Sequence, residues 1–188
     1  MKAVLVMREC ILKGTGGELC AQGKREGLQA LADAGLFTIL LDPSPDAVPG
    51  SAGSASRLAG AIEAAGGRID AVIWCPHAAG DSCGCWNTYP GLIRSATERF
   101  DLQPNECYLI AYTLRDLEMA VAAGVRPILY LDGRSVADVQ GDRCPHKDHP
   151  IARTLAQAVA YMRAEEETSA KLGRPRLNAA PTLVEEMS

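Results

Sequence analysis

Four residues with the chemistry of metal ligands lie in one short segment of the chain. Cys75, His77, Cys83 and Cys85 follow the spacing C-x-H-x5-C-x-C, with a turn sequence at 80–82 between the two pairs. Three thiolates and one imidazole are a ligand set of closed tetrahedral zinc sites, which leave no position for a catalytic water. We therefore predict a structural zinc bound by these four residues. The alternative, buried thiols beside a surface histidine, explains the paired spacing less well.

A second group of the same residue types occurs near the end of the chain. Cys144, His146 and His149 are spaced C-x-H-x2-H in a polar segment. A metal here needs a fourth ligand, which Cys10, Cys20 or a carboxylate supplies only if the fold brings it close. We favour an exposed loop with a free thiol and two solvated histidines, and a second metal stays open.

Composition narrows the class of protein. The 188 residues suffice for one domain with a sizeable core, and 47% of them are hydrophobic and 22% charged. A net charge of −4 gives no electrostatic argument for binding nucleic acid or an anionic membrane. The apolar runs are shorter than the roughly 20 residues that cross a bilayer. Because seven cysteines occur without an export signal, we expect a cytoplasmic protein.

Short apolar runs alternate with helical patterns along the chain. The runs predict strands buried on both faces, at Ala3–Met7, Phe37–Leu41, Ile69–Trp74, Tyr108–Ala111 and Ile128–Leu131. Helices are predicted at Lys24–Ala34, Ser56–Ala65, Pro90–Phe100, Asp116–Ala123 and Ile151–Arg163. This alternation predicts an α/β fold, with a doubly wound, mainly parallel sheet, helices on both faces and no large cap domain. A ligand crevice is expected outside the carboxyl ends of the strands.

We expect one domain over residues 1–163, with its zinc loop at 75–85, followed by a charged C-terminal arm at 164–188. The arm carries apolar residues among its charges and has no obvious place in the core. We predict that the arm, together with the face around Trp86 and Tyr89, contacts another protein or a second copy of the chain. The alternatives are a terminus without a role, and two aromatic side chains that only pack the zinc loop.

The middle of the chain resembles the haloacid dehalogenase superfamily, specifically its zinc-containing D,D-heptose 1,7-bisphosphate phosphatases and histidinol-phosphate phosphatases. The resemblance covers most of residues 1–133. The matching segments are Gly66–Val72, the zinc loop, Tyr89–Leu92, Leu114–Ala120 and Ala122–Leu129. It implies a Rossmann-like fold with a phosphate-binding crevice.

Such phosphatases attack phosphate with the first aspartate of a D-x-D pair after the first strand and use the second as acid and base. This chain has Met7 and Glu9 at those positions. A thioether cannot form an acyl-phosphate and is a poor ligand for Mg²⁺, which prefers oxygen. The family's phosphate-binding Thr or Ser after the second strand is replaced by Asp42.

Two further motifs of the family are also altered. The lysine of C-x-C-R-K-P, which neutralises the phosphoryl group, is replaced by Asn87. The Gly-Asp pair that supplies Mg²⁺ ligands reads Ala111-Tyr112, and only the later Asp116 remains. Together these changes remove the nucleophile, metal ligands and positive charge on which phosphoryl transfer depends.

The sequence therefore favours a catalytically deficient, phosphatase-like protein with a structural zinc and without Mg²⁺, acting as a binding or structural subunit of an assembly. One alternative is an active Mg²⁺-dependent phosphatase on a sugar phosphate such as heptose bisphosphate, or on histidinol phosphate. Another is a different enzyme that reuses the crevice, with Glu9, Asp42, Tyr112 or Asp116 in new roles.

Overall fold

The computed structural model describes residues 2–13, 18–19, 23–43, 59–75, 91–140 and 149–172. Several sequence expectations fall outside these ranges. They concern the zinc ligands after Cys75, the residues Trp86, Asn87 and Tyr89, the pair Cys144 and His146, and the arm beyond residue 172.

Six parallel strands form the main sheet of the described residues. The strands in chain order are β1 (Ala3–Met7), β2 (Leu12–Lys13), β3 (Glu18–Leu19), β4 (Phe37–Asp42), β5 (Ala71–Trp74), β6 (Cys107–Ala111), β7 (Arg126–Tyr130) and β8 (Ile151–Ala152). The sheet order is β5-β4-β1-β6-β7-β8, while β2 and β3 form a separate antiparallel pair. The order runs outwards in both directions from β1, so the predicted doubly wound parallel sheet is confirmed.

Helices connect most of the parallel strands. They are α1 (Arg8–Ile11), α2 (Gly23–Asp33), α3 (59–64), α4 (Gly91–Arg99), α5 (Leu114–Ala122), α6 (Val136–Gln140) and α7 (Leu155–Leu172). A single 3-10 turn, Pro104–Glu106, precedes β6. No helix in the described ranges combines the length and the apolarity that a bilayer crossing requires.

The core lies around the two central strands. All five residues of β1 and all five of β6 are buried, as expected when elements cover both faces of a parallel sheet. Their continuous apolar runs made these strands readable from the sequence. The carboxyl end of β1 therefore lies at the centre of the sheet edge, where a ligand crevice is expected.

The start of the last predicted helix differs from its prediction. The residues around Ile151 form β8 and not the first turn of a helix, because the Leu129 and Leu131 amides donate to Pro150 and Ala152 at 2.9 Å each. Helix α7 begins later, where the Thr154 hydroxyl accepts a hydrogen bond from the backbone of the first turn. Ile151 is 41% exposed, whereas Leu155, Val159 and Met162 of the helix are buried.

Helix α7 is longer than expected. It continues to Leu172, and the domain boundary expected at residue 163 falls inside it. Beyond that position, Glu165 and Glu166 form ion pairs with Arg126 at the start of β7. This stretch of the helix is therefore tied to the sheet by charge.

Candidate functional site

The candidate site lies where β1, β4 and β6 end, because neighbouring parallel strands bring their carboxyl ends to one edge. Met7 is the last residue of β1 and faces Leu41 of β4 in the register. Its side chain is buried, with 2% of the residue exposed. The position that the resemblance gives to a nucleophile is thus occupied by a packed thioether.

Glu9 follows in α1, a single helical turn that begins directly after β1. Burial raises the pKa of the Glu9 carboxyl, a backbone hydrogen bond opposes this rise, and the charges of Asp116 and Asp42 raise the pKa further. The structure therefore brings these three predicted residues into one electrostatic neighbourhood. A carboxyl with a raised pKa at a crevice edge can hold a proton at a pH where an exposed glutamate cannot.

Asp42 is the last residue of β4 and forms an ion pair with Arg8, the residue after Met7. The distance from Arg8 Nε to Asp42 Oδ2 is 3.5 Å, and both side chains are mostly buried. The Cys75 amide also donates to the Asp42 carbonyl at 3.2 Å, which ties the residue after β5 to the end of β4. Asp42 thus brings negative charge to this edge, and Arg8 compensates for it.

Asp116 acts as part of a helix cap. Its Oδ2 accepts hydrogen bonds from the backbone amides of Tyr112 (2.9 Å) and Thr113 (2.7 Å). In return, the Thr113 hydroxyl accepts from the Asp116 amide at 3.2 Å, which completes a capping box at the start of α5. Burial raises the pKa of Asp116, and the hydrogen bonds from Thr113 and Tyr112 partly oppose this rise.

The described residues of this edge offer Mg²⁺ an unsuitable set of donors. Mg²⁺ takes hard oxygen ligands in a near-octahedral shell. Met7 contributes sulfur, Asp42 is paired with Arg8, and one oxygen of Asp116 is bound by two backbone amides. Glu9 and the second oxygen of Asp116 remain, and two carboxylates without a third oxygen partner are a weak basis for a magnesium site.

Only part of the predicted zinc site can be located. Cys75 directly follows β5, is buried, and lies at the same edge of the sheet as Asp42. His77, Cys83 and Cys85 lie outside the described residues. Of the second predicted group, only His149 is described, and it is half-buried just before β8.

Sequence reasoning missed a polar cluster after β7. Lys24 of α2 donates to Asp132 at 3.0 Å, and Arg134 donates to the carbonyl of Tyr112 at 2.8 Å. The sequence signal that could have revealed this cluster is the polar run 132–135, directly after the predicted strand Ile128–Leu131. Residues in this position line the crevice, because the crevice lies outside the carboxyl ends of parallel strands. The sequence alone did not show that Lys24, about a hundred positions earlier, would meet this run.

Comparison with known proteins agrees with the fold and with the sequence resemblance. Residues 88–158 match the family model described as HAD-hydrolase-like. The D-glycero-beta-D-manno-heptose-1,7-bisphosphate 7-phosphatase of Neisseria meningitidis is 38% identical over 73 residues, which are 39% of this chain and 39% of that protein. The enzyme of the same name from Pseudomonas putida is 28% identical over 110 residues, 58% of this chain and 59% of that protein. The sequence matches thus span about two fifths to three fifths of these relatives.

Solved structures are similar over much more of the chain. The D,D-heptose 1,7-bisphosphate phosphatase from B. bronchiseptica, complexed with magnesium and phosphate, has a TM-score of 0.72 at 20% identity. The match covers 88% of this chain and 99% of that one. The corresponding phosphatase from Burkholderia thailandensis has a TM-score of 0.64 at 18% identity, over 87% and 99% of the two chains. The family model, the relatives and the fold together confirm the resemblance of this chain to the haloacid dehalogenase phosphatases.

Proposed function

We propose that this chain is a catalytically deficient member of the haloacid dehalogenase phosphatase group, which serves as a binding or structural subunit. The observation that carries the proposal is the identity and burial of Met7 at the carboxyl end of the central strand. A covalent mechanism needs an oxygen nucleophile at this position, and a thioether cannot supply one.

The surroundings of Met7 support the same proposal. Phosphoryl transfer requires positive charge and metal ions around the transferring group. Around Met7 the described edge carries the carboxylates of Glu9, Asp42 and Asp116. Its described cations are engaged with the protein itself: Arg8 is paired with Asp42, Lys24 is paired with Asp132, and Arg134 donates to backbone carbonyls. A phosphate dianion at this edge would be repelled by these carboxylates unless they were neutralised.

A structural zinc remains part of the proposal. Cys75, His77, Cys83 and Cys85 would hold it, and a closed Cys3His shell would stabilise the loop after β5 without taking part in chemistry. The buried position of Cys75 at the end of β5 is compatible with the first ligand of such a loop.

An active phosphatase is the second candidate function, and the relatives favour it. Proteins that match this chain at 38% and 28% identity are named heptose bisphosphate phosphatases. Burial also raises the pKa of Glu9, which is the direction that favours a general acid. In this case another group would have to act as the nucleophile or position a water.

Hydrolysis assays separate the two candidates. The purified protein is incubated with Mg²⁺ and, in turn, heptose bisphosphate, histidinol phosphate and an aryl phosphate, and released phosphate is measured. We expect no turnover above that of a heat-denatured sample. Turnover that is lost in the Glu9→Gln variant would establish an active phosphatase and overturn the proposal.

The Met7→Asp variant provides a matched test of what is missing. It restores the carboxylate at the end of β1 but leaves Asp116 engaged in its helix cap and Tyr112 in place of an aspartate. We therefore expect no rescue of hydrolysis. If this single change produces Mg²⁺-dependent turnover, the rest of the site is functional and the loss of activity rests on Met7 alone.

A further inference from the structure

The loop after β7 contains an unusual backbone conformation. We call residues 131–135 the β7 loop. Asp132 has a φ of 51° and Gly133 a φ of 82°, so two successive residues adopt the left-handed region. This region is disfavoured for residues with a Cβ, so Asp132 requires support from its surroundings.

That support comes from two side chains that bind the Asp132 carboxylate. The Tyr130 hydroxyl donates to its Oδ1 at 2.7 Å, and Lys24 Nζ donates to its Oδ2 at 3.0 Å. Lys24 is 5% exposed and lies 5.5 Å from the centre of the Tyr130 ring. The strained residue is therefore fixed both from its own strand and from helix α2.

Arg134 connects the β7 loop to the end of the neighbouring strand. Its Nε donates to the Leu131 carbonyl at 2.8 Å, and its Nη2 donates to the Tyr130 carbonyl at 2.9 Å and to the Tyr112 carbonyl at 2.8 Å. The guanidinium carbon also lies 3.6 Å from the centre of the Tyr112 ring. A guanidinium stacked on an aromatic face while donating to fixed carbonyls has little freedom to move.

Tyr112 is held from its other side as well. Its amide donates to Asp116, while its carbonyl accepts from Arg134. Both backbone polar groups of this residue are thus bound, one by the cap of α5 and one by the β7 loop. The residue lies directly after β6, at the edge where a ligand crevice is expected.

We propose that Arg134 is a clasp that joins the β7 loop to Tyr112 across the carboxyl edge of the sheet and holds this part of the crevice in one conformation without a ligand. The clasp goes beyond the proposed function, because it concerns the conformation of the edge and not its chemistry. It has a definite consequence. The residues after β6 and β7 are ordered before any anion or cation arrives.

Amide hydrogen exchange of the whole chain, followed by NMR, tests the clasp. The amides of Tyr112 and Thr113 report local opening, because they bond to Asp116 outside the helices and strands. The amide of Leu5 in the central strand reports global unfolding. In Arg134→Ala we expect exchange at Tyr112 and Thr113 to rise about tenfold or more relative to exchange at Leu5. Arg94→Ala, which changes an exposed arginine of α4, should leave this ratio unchanged.

Substitutions of the stacked ring give a second test that does not depend on the stability of the arginine variant. Tyr112→Phe keeps the ring and should retain slow exchange at Thr113, whereas Tyr112→Leu should lose it. If the phenylalanine and leucine variants exchange alike, or if Arg134→Ala matches Arg94→Ala, the clasp is refuted.

Addition of orthophosphate with Mg²⁺ to the wild type completes the experiment. We expect exchange at Tyr112 and Thr113 to stay the same, because the edge is already ordered. Slower exchange on addition would show that a ligand orders the edge and would overturn the proposal. Since exchange is measured without a substrate, phosphatase activity could appear and refute the proposed function while the clasp still stands.

Discussion

Glu165 of α7 accepts a hydrogen bond from Arg126 of β7, with 2.7 Å between Oε1 and Nη1. Glu166 binds the same guanidinium at 3.1 Å and also accepts from the Tyr108 hydroxyl at 2.9 Å. Arg126 is 7% exposed and stacks on the Tyr108 ring at 3.7 Å. Desolvation lowers the pKa of Arg126, but its bonds to Glu165 and Glu166 raise it more, so the charge is retained. A buried charge of this kind depends on its partners.

Removal of both carboxylates should therefore lower the stability of the folded protein. We expect the Glu165→Ala, Glu166→Ala double variant to lose about 3 kcal/mol of stability, because it leaves a buried guanidinium unpaired. Urea titration followed by circular dichroism measures the loss. Arg126→Met is the matched control. It removes the buried charge itself and keeps an unbranched side chain of similar length. We expect this variant to lose less stability than the double variant, which would show that the unpaired buried charge, and not lost packing, causes the larger loss. A double variant as stable as the wild type would contradict this role.

The cap at Asp116 makes a second prediction. Asp116→Ala leaves the Tyr112 and Thr113 amides without their acceptor, and we expect a loss of about 1–3 kcal/mol in the same titration. Asp138 forms a similar box with Ser135 at the start of α6, but at an exposed position. Asp138→Ala should therefore cost clearly less, because water can replace the lost acceptor. Equal losses in the two variants would show that burial of Asp116 has no special effect.

The raised pKa of Glu9 leads to a third prediction, on how the stability of the fold depends on pH. Its pKa is raised in the folded state, chiefly by burial, so the folded protein binds a proton more readily than the unfolded chain. Its contribution is favourable below the ordinary glutamate pKa and is lost as the pH rises through the folded-state pKa. Glu9→Gln should be more stable than the wild type at neutral pH, and this advantage should shrink in acid.

Denaturant titrations at several pH values between acid and neutral pH test the Glu9 prediction. Glu63→Gln is the control, because it makes the same replacement of a carboxylate oxygen by an amide nitrogen at an exposed glutamate on α3. This control should be about as stable as the wild type at neutral pH. If Glu9→Gln is less stable than the wild type at neutral pH, the carboxylate makes a favourable interaction that outweighs its burial.

The sequence predicted elements whose signal is local. The apolar runs of β1 and β6 identified the central strands. The helix predicted at Asp116–Ala123 begins two residues earlier, at Leu114, because the capping box of Thr113 and Asp116 was not recognised. Ile151 was misassigned because its spacing to Leu155 also suits a helix, and only pairing with β7 makes it a strand residue.

Contacts between distant residues were beyond the reach of such reasoning. Arg126 and Glu165 are 39 positions apart, and Lys24 and Asp132 are 108 positions apart. Each of these charges alone resembles an ordinary surface residue in the sequence. Their burial becomes visible only when the topology brings α7 onto the sheet and α2 beside the end of β7.

Zinc content is a fourth prediction. We expect about one zinc per chain in protein produced without added metal, measured by elemental analysis. Cys83→Ala should lose the metal and destabilise the fold. Cys10→Ala and Cys107→Ala are controls, because these thiols are buried against the carbonyls of Ile110 and Gln103.

Both control cysteines are poor zinc ligands for a further reason. Burial raises the pKa of Cys10, and it raises that of Cys107 to about 11, so neither readily forms the thiolate that zinc binds. Their alanine variants should keep the full zinc content. Substoichiometric zinc in the wild type, or unchanged zinc in Cys83→Ala, would refute the proposed site.

The C-terminal arm gives the last prediction, and the structure decides where to cut it. A chain ending after Arg163 would lose Glu165 and Glu166 and leave Arg126 unpaired, so any loss of binding would be confused with unfolding. A chain ending after Leu172 keeps the whole of α7 and removes only 173–188. We expect this shorter chain to be as stable as the full chain but to lose its association with another protein or with a second copy. Light scattering and pull-down from host lysate compare the two chains, and equal mass with equal partners would show that residues 173–188 have no binding role.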